Sequence, residues 1–95
     1  MEMEISSDTV TIKGNIKSIS NFQEIKNAVD NMVSTNKSII INIIDSISIT
    51  SSTIGYLNKL ILKDGVNIQI HIGNPQLMEL LMDLNLVSTF KAKKV

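Results

Sequence analysis

The spacing of apolar residues changes several times along the chain, and each change marks an element. Met3 and Ile5, then Val10 and Ile12, alternate with polar residues, the period of half-buried strands. Two short strands are expected over Met3–Ile5 and Thr9–Lys13, joined as a hairpin through the turn residues Ser7 and Asp8. Gly14 ends the second. The period then becomes helical. Phe22, Ile25, Val29, Met32 and Val33 fall on one stripe, which predicts a helix from Asn21 to Ser34. Ser20 or Asn21 is the expected N-cap, with Gln23 and Glu24 as capping-box partners.

Ser38 to Ile44 is nearly continuous isoleucine. β-branching favours a strand, and apolar side chains on both faces predict a central strand buried on both sides. Asp45 to Ile49 reads as a connector, with Asp45 ending the strand as a turn residue. A second helix is predicted from Ser52 to Lys63, burying Ile54, Leu57, Leu60 and Ile61 and turning Lys59 and Lys63 to water. Asp64-Gly65 suits the positive φ of a helix end. In the next strand, Val66 to Ile72, isoleucines at 68, 70 and 72 alternate with Asn67, Gln69 and His71, so one face should be packed and the other less buried. Asn74 as N-cap and Pro75 at the first helical position start a third helix, which carries Leu77, Leu80, Leu81 and Leu84 inward and ends near Asn85. Leu86, Val87 and Phe90 should fold back on the core, with the tail loose or a short edge strand. Strands alternating with helices predict one α/β domain over residues 1–95. It should have a small mixed β-sheet, right-handed βα crossovers and helices mainly on one face.

Composition narrows the function classes. The nine basic residues balance nine acidic ones, and all nine are lysine. A nucleic-acid binder needs a basic footprint, and arginine is its preferred reader of phosphate and guanine. Lys91, Lys93 and Lys94 form a basic end read as a solvated tail. No cysteine is present, which removes disulfides, thiol catalysis and Cys-based zinc sites, and suits a cytoplasmic chain. Met1-Glu2-Met3-Glu4 lacks the basic-then-apolar pattern of a signal peptide. The longest apolar stretch, Ile39 to Ile49, is interrupted by polar residues and is far short of the ~20 that a membrane span needs. With one histidine a transition-metal site is not expected. A Ser-His-Asp set built on Ser51 and His71 would lack a G-x-S-x-G elbow, and glycine is too scattered for a phosphate loop, so no enzyme and no cofactor are expected.

The most informative stretch is Ile49-Thr50-Ser51-Ser52-Thr53-Ile54-Gly55, between a buried strand and an amphipathic helix. Four hydroxyl residues there stand at a helix N-terminus, where free N–H groups and the dipole favour a phosphate. Either Ser51 or Ser52 caps the helix, or a hydroxyl is regulated or reactive.

The chain resembles the STAS family, which includes the bacterial anti-sigma factor antagonists. Their strand-to-helix signature reads aspartate, serine, serine, glycine, leucine, glycine, and Thr50, Ser51, Ser52, Thr53, Ile54 and Gly55 stand at those positions here. Ile12-Lys13-Gly14-Asn15-Ile16 resembles the segment before the first helix. Gly73-Asn74-Pro75 and Leu84-Asn85-Leu86-Val87 resemble the last strand-to-helix turn and the closing segment. The resemblance implies a binding module in which Ser51 is the phosphoacceptor. Asn15, Lys17, Thr50, Ser51, Ser52, Thr53 and Gly55 would meet the partner, an ATP-binding serine kinase that doubles as anti-sigma factor, and a serine phosphatase would reset the switch. Departures from the pattern are Thr50 for the aspartate, Thr53 for the first glycine, and Asn15 and Lys17 at early acidic positions. Many antagonists also carry a last helix, for which the sequence to Val95 leaves no room. The departures imply an alternative from another class: a STAS subunit of a lipid-transport ATPase complex, which needs no phosphorylation, or a signalling scaffold.

Overall fold

A computed structural model describes all 95 residues. β1 (Glu2–Ile5) and β2 (Thr9–Lys13) form the antiparallel hairpin, with Ile5 opposite Val10 and Met3 opposite Ile12. Then come α1 (Ile19–Val33), β3 (Ser38–Ile43), α2 (Ser51–Asn58), β4 (Asn67–Ile72), α3 (Pro75–Asp83) and β5 (Lys93–Lys94). β2, β3, β4 and β5 run parallel, and the five strands lie in the order β1-β2-β3-β4-β5. A chain that always steps the same way across a sheet, with crossovers of one hand, lays its helices on one face. Burial agrees: Val10, Ile12, Ile39, Ile41, Ile43, Ile68, Ile70 and Ile72 are buried, and the alternate residues are not. No helix is long and apolar enough to cross a membrane.

Several boundaries differ from the pattern-based expectation. α1 starts earlier, because Ser18 is the N-cap and accepts from the Asn21 N–H at 3.0 Å. Asn21 is the reciprocal partner, not the cap, and its Oδ1 accepts from the Lys17 N–H at 3.0 Å. Short polar side chains compete for free N–H groups, and Gln23 and Glu24 lie too far along the helix to join. β3 is central but not buried on both sides: Ile40 and Asn42 are only half-covered, since their neighbours Thr9, Thr11, Gln69 and His71 make that face polar. His71 is an ordinary strand residue on this open face.

The second helix begins at Ser51 and is α-helical only to Asn58. Lys59–Lys63 continues it as one π-turn, closed by the Asp64 N–H on the Lys59 carbonyl at 3.1 Å. Lys59 and Lys63 face water, and Gly65 takes φ 69°. Leu57 and Leu60 are buried as expected, whereas Ile54 and Ile61 are only half-buried; Thr53 and Tyr56 complete the inner face.

Asn74 caps α3, accepting from the Gln76 and Leu77 N–H groups at 2.8 and 3.3 Å. Leu77 and Leu81 pack inward and Leu80 is half-buried. Leu84 is 48% exposed, against expectation, because the helix stops at Asp83 and Asn85 reverses the chain with φ 58°. The returning segment buries Phe90 completely, and its carbonyl accepts from the Ile70 N–H at 3.2 Å. The tail then ends as the short edge strand β5.

Candidate functional site at the start of helix α2

The parallel strands end at one rim of the sheet, where the loops into α1, α2 and α3 gather. The first two are laced together by side chains (Fold position alone brings loops near; here polar side chains fix their spacing). The Asp45 carboxylate accepts from the Gly14 N–H at 2.7 Å, and the Asn15 amide oxygen accepts from the Ile47 N–H at 3.1 Å. Ile16, buried between the loops, has both backbone groups satisfied by serines. Its N–H donates to Ser46 Oγ at 3.1 Å, and its carbonyl accepts from Ser48 Oγ at 3.0 Å. Ser46 is fully buried, and its hydroxyl also donates to the Ser48 carbonyl at 2.7 Å. A buried hydroxyl must be paired in this way to offset its desolvation.

Above this floor, α2 starts. Its cap is Thr50, not Ser51 or Ser52. Thr50 has extended backbone, and its Oγ1 accepts from the Thr53 N–H at 3.2 Å. Thr50 and Thr53 hydroxyls also bond each other at 2.8 Å, and Thr53 is buried beneath the turn. With the cap supplied by Thr50, the Ser51 and Ser52 side chains are free of capping duty, and both residues are exposed. A β-carbon added at Gly55, one turn on, would meet nothing within 4 Å, so packing does not require glycine there. Lys17, Ser18, Ile19, Phe22, Thr50 and Ser52 line a cleft of about 130 Å³ beside the turn. The first turn of α2 contains no acidic residue.

The body of α2 is held on α1 by Tyr56. Its hydroxyl donates to the Asp30 carboxylate, Lys26 Nζ lies 2.8 Å from the same carboxylate, and Phe22 meets the Tyr56 ring edge-on at 6.0 Å. The hydrogen bond from Lys26, followed by that from Tyr56, holds the Asp30 carboxyl below its ordinary range. Burial, followed by the bond to Asp30, pushes the Tyr56 phenol above its ordinary value.

The structure thus brings Lys17, Thr50 and Ser52 to one cleft, with Ser51 exposed on the same turn. Asn15 stands one loop away, tied to Ile47. Thr53 faces inward. Pattern reading missed the lacing by Ser46 and Ser48, although a Ser-x-Ser pair directly after a buried strand was the available signal. It also missed three exposed isoleucines around the rim: Ile19 (78% exposed), Ile47 (51%) and Ile44 (43%). Their signal was being out of phase with the buried stripes on either side.

No protein-family model matches the sequence, and no curated protein is similar to it. The fold is similar to that of a solved structure, the NMR structure of the protein TM1081. The TM-score is 0.66 at 20% identity, over 98% of this chain and 79% of that one. At that identity the likeness is one of fold, and the α/β architecture with a mixed five-stranded sheet is what it supports.

Proposed function

We propose that this chain is a STAS-type regulatory protein of the anti-sigma factor antagonist kind, acting by binding and not by catalysis. In this reading it works in the cytoplasm, docks on an ATP-binding serine kinase that doubles as anti-sigma factor, and is switched by phosphorylation of Ser51 and reset by a serine phosphatase. The observation that carries the reading is the division of labour at the start of α2: Thr50 caps the helix, which leaves the Ser51 hydroxyl exposed with no structural task. A kinase needs a hydroxyl it can reach without unfolding its substrate.

The surroundings suit a contact surface. Exposed Ile19, on the wall of the cleft beside the turn, supplies apolar area, and Asn15, Lys17, Ser52 and Gly55 would complete the contact surface. Thr50 and Thr53 support the turn from within. A phosphate on Ser51 would add roughly −1.5 to −2 charges next to free helix N–H groups. Lys17, on the wall of the neighbouring cleft, is a cation near it. The fold can therefore accept the phosphate, and the switch would act through charge and bulk in the docking surface.

A second reading is favoured by one observation. No carboxylate stands in the first turn of α2, and the nearby Asp45 carboxylate is engaged with the Gly14 N–H. A site without acidic groups suits a STAS subunit of a lipid-transport ATPase complex, or a signalling scaffold, in which Ser51 is never modified. One experiment separates the two: affinity capture from the host with wild type, Ser51→Ala and Ser51→Glu, with phosphosite mapping of the recovered protein. The first reading expects phosphate on Ser51, and a serine kinase bound to wild type and Ser51→Ala but not to Ser51→Glu. A membrane ATPase bound equally by all three forms would replace it with the second.

A further inference from the structure

The two edges of the sheet carry opposite charges. β1 is one edge strand and bears Glu2 and Glu4; β5 is the other and consists of Lys93 and Lys94. All four residues are exposed. Register places Glu2, Glu4 and Lys93 on the open face, whereas Lys94, opposite the buried Ile72, lies on the other. Glu4 pairs with Thr11, Thr11 with Asn42, Asn42 with His71, and His71 with Lys93. Partners in register project to the same side of a sheet. One row therefore crosses the open face with a carboxylate at one end and an ammonium at the other. Each edge also carries an exposed apolar residue, Ile5 in β1 (59%) and Val95 just after β5 (66%).

An edge strand presents unpaired N–H and C=O groups, and charged side chains normally blunt it. A lysine edge repels a lysine edge, and a glutamate edge repels its like. Neither repels the other. Strand direction also fits: β1 runs antiparallel to β2, while β2 to β5 are parallel, so β1 of one copy laid beside β5 of another forms an antiparallel pair. The Glu4–Lys13 contact at 3.7 Å competes little, since both side chains are more than half exposed. We propose that copies of this chain associate head to tail, the acidic edge β1 of one on the basic edge β5 of the next, so that the open faces join into one continuous sheet. Such an interface is heterologous and does not close at a dimer. With strands of four and two residues it is weak, and becomes populated only at high local concentration. It is independent of the reading of Ser51, whose turn lies at the strand ends and not at the sheet edges.

Sedimentation velocity over a concentration series, at low and high salt, tests the proposal. At low salt the weight-average mass should climb past two chains without levelling, and high salt should return it to one. Glu2→Lys with Glu4→Lys makes both edges basic; Lys93→Glu with Lys94→Glu makes both acidic. Each double variant alone should lose about tenfold or more in association, as opposed pairs become like-charged. An equimolar mixture should regain it, because basic edges then meet acidic ones. Glu24→Lys with Glu79→Lys, the same charge change at exposed helix positions, should leave association intact. Circular dichroism checks that every variant is folded, and Gln replaces Lys in any edge variant that is not. A wild type that stays single at every concentration overturns the proposal. So does indifference to the edge swaps, a mixture that fails to recover, or an equal loss in the helix control.

Discussion

Two helices start at the same rim of the sheet in different ways. α3 follows β4 after only Gly73 and Asn74, and everything in that turn is committed to structure. Asn74 satisfies two N–H groups, Pro75 has none to satisfy, and Gly73 lies hard against the Ile44 backbone. α2 follows β3 after a longer loop, Ile44 to Thr50, tied down by hydrogen bonds from beneath. Its capping falls to one residue, Thr50, and the next two hydroxyls project into solvent. The first turn is closed, and the second, tied from beneath, leaves two serine hydroxyls free. A helix start that uses every polar group for itself is a joint; one with groups to spare can be a site.

The sharpest way to break the closed turn is Gly73→Ala. A β-carbon there would sit 2.1 Å from the Ile44 carbonyl oxygen, and backbone atoms on both sides must move. A loss of about 3 kcal/mol or more in denaturant unfolding is expected, or no folded protein. Capping comes next. Thr50→Ala should cost about 1–2 kcal/mol, because it removes the cap and leaves the buried Thr53 hydroxyl without its partner. Asn74→Ala should cost about 1 kcal/mol in the same assay. If Thr50→Ala were neutral, the capping role would belong to a serine after all.

A smaller effect concerns how α2 is held on α1. The folded-state pKa of Asp30 is lowered, so its stabilising contribution is present above the unfolded carboxylate value and is lost as pH falls through the folded one. Thermal unfolding should therefore show stability declining below about pH 4, with a shallower decline in Asp30→Asn. The smallest effect sharpens the comparison most. Ser51→Ala and Ser52→Ala should each change stability by less than about 0.5 kcal/mol. A loss as large as that of Thr50→Ala would mean that these hydroxyls serve the fold.

Much of the fold was legible because local rules and tertiary packing agree. Ile68, Ile70 and Ile72 alternate with Asn67, Gln69 and His71, and one face is buried as that period requires. Asn74-Pro75 is a helix start wherever it sits. Rim residues were harder to read. Ser18, Ser20 and Asn21 are all acceptable caps, and only the path of the chain from Ile16 selects Ser18. Thr50, Ser51 and Ser52 pose the same choice, and the sequence pattern favoured a serine where the structure uses threonine.

By itself, then, the sequence determined the order and kind of the elements, the inward isoleucines of β4 and the stretch in which the candidate site falls. These follow from periodicity and backbone preference, which act over a few residues. The tertiary structure alone decided which hydroxyl caps α2 and which are left over, that Ser46 and Ser48 bind a loop some 30 residues away, and that β3 is covered on one face only. The physical reason is common to all three. A polar group goes to whichever free donor or acceptor folding brings within reach, and that neighbour is set by strand order and register, not by position along the chain.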